Sequence, residues 1–165
     1  MYRLILISIL FVFQCASTSE TTKKRARKNL LSSVQTEDVS GIQRSIEEGA
    51  LEKDTVFEKN PDEFHTTALL TAINYNKMIS LKTLLDIGAN PNSFNTGEHP
   101  SLLMITISLC KTEAVDILIN KGADIDYIQK FPNNLSVSTY ETVALCKDPA
   151  KRKEIDKILK LTRKK

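Results

Sequence analysis

The chain has 165 residues, 26% of them charged and 41% apolar, the balance of a folded protein with room for one domain or a short array of repeats. Five Gly, five Pro and three Cys exclude collagen-like, Pro-rich and disulfide-framework classes. Trp is absent and aromatics total 6%, so a core must be built from Leu, Ile, Val and Ala, which favours helices. The net charge of +3 divides into +5 over residues 1–28, −8 over 29–146 and +6 over 147–165. A protein that wraps nucleic acid carries a basic stripe along its body. Here the body is acidic and only the ends are basic, so no nucleic-acid partner is expected.

The chain opens with Met1-Tyr2-Arg3, ten residues from Leu4 to Phe13 that are apolar apart from Ser8, and then small polar residues. This is the layout of a secretory signal peptide, assigned to 1–16. Ten helical residues span about 15 Å, half of a bilayer's hydrocarbon core, so the run is too short for a permanent span. Two fates stay open for its end. Cys15-Ala16-Ser17 loosely fits ordinary signal-peptidase cleavage, whereas a lone Cys15 after an apolar run resembles the lipidated cysteine of a bacterial lipoprotein, with Gln14 a departure from the small residue usual there. Both place the chain outside the cytoplasm, either anchored to a membrane through a lipid at Cys15 or periplasmic or secreted. Residues 17–28, hydroxyl-rich and then basic, read as a flexible tether. Residues 29–165 form the folded domain.

Gly-Ala recurs at Gly49-Ala50, Gly88-Ala89 and Gly122-Ala123, each closing an amphipathic segment: Val39–Ala50, Ile79–Ala89 and Glu113–Ala123. Glycine just past the last periodic residue is the helix stop expected where the chain turns left-handed. Shorter helices precede two of these segments, Thr67–Ile73 and Ser101–Ile107, with Thr67 and Ser101 placed as N-caps. After the glycines, Asn90-Pro91-Asn92 and Asp124-Ile125-Asp126 read as turns leading into extended fingers.

Helix, helix, Gly-Ala-Asn/Asp and then a hairpin loop, at a spacing near 33, resemble the ankyrin repeat family. Thr67-Ala-Leu-Leu stands in for the family's Thr-Pro-Leu-His, and Gly88–Asn92 and Gly122–Asp126 for its Gly-Ala-Asp-Val-Asn. Asn29–Val34 with Thr36–Ile42 resembles an N-terminal capping repeat, and Thr142–Cys146 with Glu154–Leu159 a divergent C-terminal one. The resemblance implies an all-α solenoid of about four stacked helix-turn-helix repeats that binds proteins. The Pro and His of Thr-Pro-Leu-His are missing from both middle copies, which shifts the burden of stacking onto apolar packing.

Six of the seven aromatics beyond residue 16 fall in the expected connections; Tyr75 is the exception. Apolar rings in loops point to anchors for a protein partner, so Phe57, Phe64, Phe94, Tyr127 and Phe131 are the candidate protein-binding residues. Phe94 and Tyr127 lie nearest the expected finger tips. Acidic neighbours such as Glu98, Asp124 and Asp126 suit a partner with a basic patch. Catalytic and phosphate-binding motifs are absent. His65 and His99 read as loop residues too far apart to share a metal. No catalytic residue, metal or cofactor is expected, and the domain should be a monomer. Cys110 and Cys146 are expected to be separate buried thiols, with Cys146 inside its own helix and out of bridging range. The expected function is protein binding through the fingers and the face of the short helices; a structural envelope protein that depends on its tether is the alternative.

Overall fold

The computed structural model describes residues 22–50, 68–93 and 99–163, and within them the chain is mostly helical with one small two-stranded sheet. The segment 1–16, with Cys15, and the start of 17–28 lie outside the described residues, as do Phe57, Phe64, His65, Thr67 and Phe94. Helix α1 covers residues 22–36, and α2 (Val39–Ser45) continues through one wide turn, Ile46–Ala50. Two helix pairs follow, α3 (Ala68–Asn74) with α4 (Met78–Asp86) and α5 (Leu102–Ser108) with α6 (Thr112–Asn120). A hairpin of β1 (Ile128–Lys130) and β2 (Ser136–Ser138) leads into α7 (Thr139–Thr142), a 3₁₀ turn at Val143–Leu145, and α8 (Pro149–Thr162).

Residues 22–28, expected to be flexible, are instead the opening turns of α1. Ala26, Leu30 and Val34 recur at four-residue intervals, line one face and are fully buried. The basic residues between them hide that stripe from a reading of composition. At the other end of the chain, α8 starts at Pro149, five residues before the Glu154–Leu159 segment that carries its apolar face. Asp148 accepts from the Ala150 and Lys151 amides, and Pro149 sits in the first turn, where its missing N–H costs nothing.

Both helices of each pair stop in the left-handed region. Glu37, Asn76 and Cys110 end α1, α3 and α5 with φ of 58°, 57° and 55°. Twelve residues later in each case, Gly49, Gly88 and Gly122 take φ of 85°, 91° and 85°. The following amides fold back: Lys77 N–H donates to Ala72 O at 2.7 Å, Ala89 to Leu84 O at 3.0 Å and Ala123 to Leu118 O at 2.9 Å. These satisfy carbonyls that a helix end would otherwise leave unpaired.

The second helices pack in series, α2 on α4, α4 on α6 and α6 on α8. The first helices of the two middle pairs, α3 and α5, lie almost wholly inside; every residue of α3 except Asn74 is buried. Leu30, Ile42, Leu69, Ile73, Leu81, Leu84, Leu102, Leu103, Ile107, Leu118, Ile155 and Leu159 form one continuous aliphatic core, each contributing about 1.5–3 kcal/mol by burial.

Polar links join successive units where the expected His is missing. Ser80 Oγ donates to Val34 O at 2.9 Å in a buried contact. The Ile79 amide donates to Glu37 Oε1 at 3.1 Å, so a residue of the first unit caps a helix whose own N-cap, Lys77, makes no side-chain bond. Asn92 spans the next junction: its Nδ2 donates to Gly122 O and its Oδ1 accepts from the Asp124 amide, both at 2.9 Å.

Cys110 and Cys146 form a disulfide, with Cα atoms 5.1 Å apart, where two separate thiols were expected. The expectation placed Cys146 within a helix. The helical stretch ends at Leu145, so both cysteines sit at the ends of first helices and meet at neighbouring corners. With 36 residues between its ends, this bridge restricts the unfolded chain, and Cys146→Ser is expected to lower unfolding stability by about 3–4 kcal/mol in denaturant titration. Asn92→Ala removes both junction bonds and should lower stability by about 1–3 kcal/mol, measured the same way.

Candidate functional site

The connection from Gly122 to Glu141, long for a loop, is the ordered hairpin. Asp124 Oδ1 accepts from the Asp126 amide at 2.9 Å, and Asn90 makes the same turn with Asn92 one unit earlier, at 2.9 Å. Strands β1 and β2 are antiparallel, with Ile128 opposite Ser138, Gln129 opposite Val137 and Lys130 opposite Ser136. Beyond the strands, the Phe131 amide donates to Leu135 O at 2.8 Å, and Asn134 turns the tip with φ of 62°. Asparagine tolerates that conformation better than a branched residue would.

Tyr127 is not a finger-tip anchor. It is 8% exposed, and its hydroxyl donates to His99 O at 2.7 Å. The phenol reaches across to the preceding connection, while the Tyr127 carbonyl accepts from the Thr139 amide and hydroxyl, both at 3.2 Å. The ring therefore braces the base of the hairpin and is unavailable to a partner. Tyr140, counted among the connection aromatics, falls in α7 with Arg163 over its ring at 5.2 Å.

Phe131 is 38% exposed, and two aliphatic residues of the same hairpin, Ile128 and Leu135, are more exposed still. Phe131 and Leu135 face each other across the tip as an apolar pair, while Ile128, opposite Ser138 near the base, projects to the other face of the hairpin; of the three only Phe131 is legible as an aromatic in a loop. The signal for the other two lies in the strand alternation around Pro132-Asn133-Asn134, which the helical frame of the chain obscures.

Ser138 and Glu141 anchor the hairpin to α7 through a reciprocal cap. Glu141 Oε2 accepts from the Ser138 amide and hydroxyl at 2.7 Å, and the Glu141 amide donates back to Ser138 Oγ at 3.3 Å. The Ser138 N–H, helped by the hydroxyl, holds the Glu141 carboxyl below the ordinary glutamate range. His99 is exposed, and among the described residues no three His, Cys, Asp or Glu side chains gather as a metal would need. No described helix is long and apolar enough to cross a membrane.

No family model matches the chain. A stretch of 72 residues, 42% of this chain, is 36% identical to the Schizosaccharomyces pombe protein glycerophosphocholine phosphodiesterase gde1. That stretch is 6% of gde1, so the similarity concerns a small part of a much longer protein and does not carry its activity here. The ankyrin identification drawn from the Gly-Ala frame is corrected by these comparisons: no family model supports it, and the relative found bears the name of a phosphodiesterase. A glycine frame reports how helices end, a local property that does not by itself establish descent.

Because the folded Glu141 carboxylate is the better hydrogen-bond acceptor, the unfolded chain binds its proton at higher pH than the folded one. The cap's contribution is then present above the ordinary glutamate range and lost as pH falls through the lowered folded value. Thermal unfolding of Glu141→Gln should differ from wild type most at neutral pH, and the two curves should converge on acidification.

Proposed function

We propose that this chain is an exported protein-binding module, built as a solenoid of stacked helix-turn-helix units, with its hairpin edge as the contact surface. The observation that carries the reading is the exposed apolar pair Phe131 and Leu135 at the tip, with exposed Ile128 nearer the base, on a hairpin braced by Tyr127 and the Ser138–Glu141 cap. A rigid element presenting adjacent apolar side chains supplies binding area at little ordering cost. Exposed Asp124 and Asp126 at the start of the same connection favour a partner with a basic patch beside its apolar contact.

Export draws support from the disulfide, which belongs to an oxidising compartment. Attachment through a lipid at Cys15 and release after cleavage both remain compatible with that placement, and incorporation of labelled fatty acid into the wild-type chain but not into Cys15→Ser distinguishes them. The basic α1, which would follow such an anchor closely, adds charge that suits an anionic surface.

The test is a triple variant, Ile128→Ser, Phe131→Ser and Leu135→Ser. It should lose at least about tenfold in affinity for a partner co-purified from the native host while its helical circular dichroism stays unchanged. Undiminished affinity removes the hairpin from the interface.

A further inference from the structure

The opposite edge of the molecule carries a second pattern, independent of the hairpin. Where the first helix turns into the second in the last three units, the same triplet recurs: Tyr75-Asn76-Lys77, Leu109-Cys110-Lys111 and Leu145-Cys146-Lys147, whereas the first unit has Thr36-Glu37-Asp38 there and bounds the row at that end. The leading residue is apolar and exposed each time, at 58%, 44% and 60%. Apolar side chains exposed once are ordinary, but three at one structural position of three consecutive units form a row.

Two links hold these turns side by side. Lys111 Nζ donates to Asn76 Oδ1 at 3.4 Å, and the middle residues of the last two triplets are the disulfide pair, with Cα atoms 5.1 Å apart. Beside the row runs a groove of about 300 Å³ whose lining includes Asn76, Leu109, Lys111, Thr112 and Lys151. Lys77, Lys111 and Lys147 border the row, and no carboxylate pairs with any of the three among the described residues. Two carboxylates lie nearby in the groove: Glu113 already faces Lys82 at 3.7 Å, and Glu154 stands near Lys151 in the lining. The triplets themselves contain no acid.

From this juxtaposition we infer that the turn edge is a docking surface for an extended acidic peptide segment whose apolar side chains seat on Tyr75, Leu109 and Leu145 and whose carboxylates meet Lys77, Lys111 and Lys147. The charge decides the occupant: a lysine row beside an apolar row favours carboxylates interspersed with aliphatic residues and disfavours a basic segment. Packed helices lie about 8–10 Å apart, which three residues of extended chain cover at about 3.3 Å each, while the disulfide draws the last two turns closer, to 5.1 Å between their middle Cα atoms. The inference goes beyond the hairpin reading and shares no residue with it.

The experiment uses the oxidised protein and a fluorescent peptide of four Leu-Asp-Asp repeats, read by anisotropy. Wild type should bind it, more weakly as salt is raised, and should not bind a peptide of four Leu-Lys-Lys repeats. A charge variant, Lys77→Glu, Lys111→Glu and Lys147→Glu, and an apolar variant, Tyr75→Ser, Leu109→Ser and Leu145→Ser, should each weaken binding at least about tenfold. All six positions lie outside the buried core, and thermal unfolding checks that both variants remain folded. The Ile128, Phe131 and Leu135 variant should bind the peptide like wild type even if it loses the hairpin partner. Absence of acidic-peptide binding, equal binding of the basic peptide, or undiminished binding by either turn-edge variant overturns the inference. So does a self-associated wild type, seen by sedimentation, that the apolar variant converts to monomer, since the row would then be covered by a second copy.

Discussion

The left-handed stop is the constraint from which the rest of the structure follows. Each pair of helices ends once at Glu37, Asn76 or Cys110 and again twelve residues later at a glycine. The backbone must reverse at both places without leaving carbonyls unpaired, and folding the next amides back onto the preceding turn does this. Because the interval of twelve is constant, α4 and α6 begin at the same point of the frame and run for the same nine residues. Helices of equal length starting in register can pack side by side, and the aliphatic core from Leu30 to Leu159 is the result.

Glycine and non-glycine stops have different consequences. At Gly49 and Gly122 a side chain would find open space, so the requirement there is the positive φ itself. At the other stops a side chain is present and is put to use. Glu37 accepts from the amide of Ile79 in the next unit, Asn76 accepts from Lys111, and Cys110 bonds covalently to Cys146. One position in the frame thus supplies three successive junctions by three different chemistries. The hairpin side has its own ties, Asn92 to Gly122 and Asp124, Asp86 to Lys121 at 2.6 Å, and Tyr127 to His99.

These ties also separate two edges of opposite character. Lysines follow the last three first-helix turns, while neutral Asn90 and Asn92 follow Gly88 and Asp124 and Asp126 follow Gly122, and the second helices hold the two edges about 13 Å apart. The bracing of the hairpin by buried Tyr127 matters, since a contact surface held in place loses less freedom on binding.

The sequence by itself determined the helices and where they stop. The apolar residues of α4 and α6, Ser101 as the cap of α5 with its Oγ accepting from Met104 at 3.1 Å, and the three glycine ends are all local properties, set by nearest neighbours along the chain. The same frame suggested a family that the comparisons do not support, because helix ends record local geometry and not ancestry. Tertiary structure alone decided what each exposed or buried residue became. Ala26 is core although it stands in a basic run, Tyr127 is a brace although it stands in a loop, and Leu135 stands opposite Phe131 because the finger's two strands pair in one particular register. Cys110 and Cys146 come within bridging distance because a helical stretch ends at Leu145, one residue before the second thiol. Such outcomes rest on contacts between residues 12 to 46 positions apart, and spacing along a chain carries no measure of them.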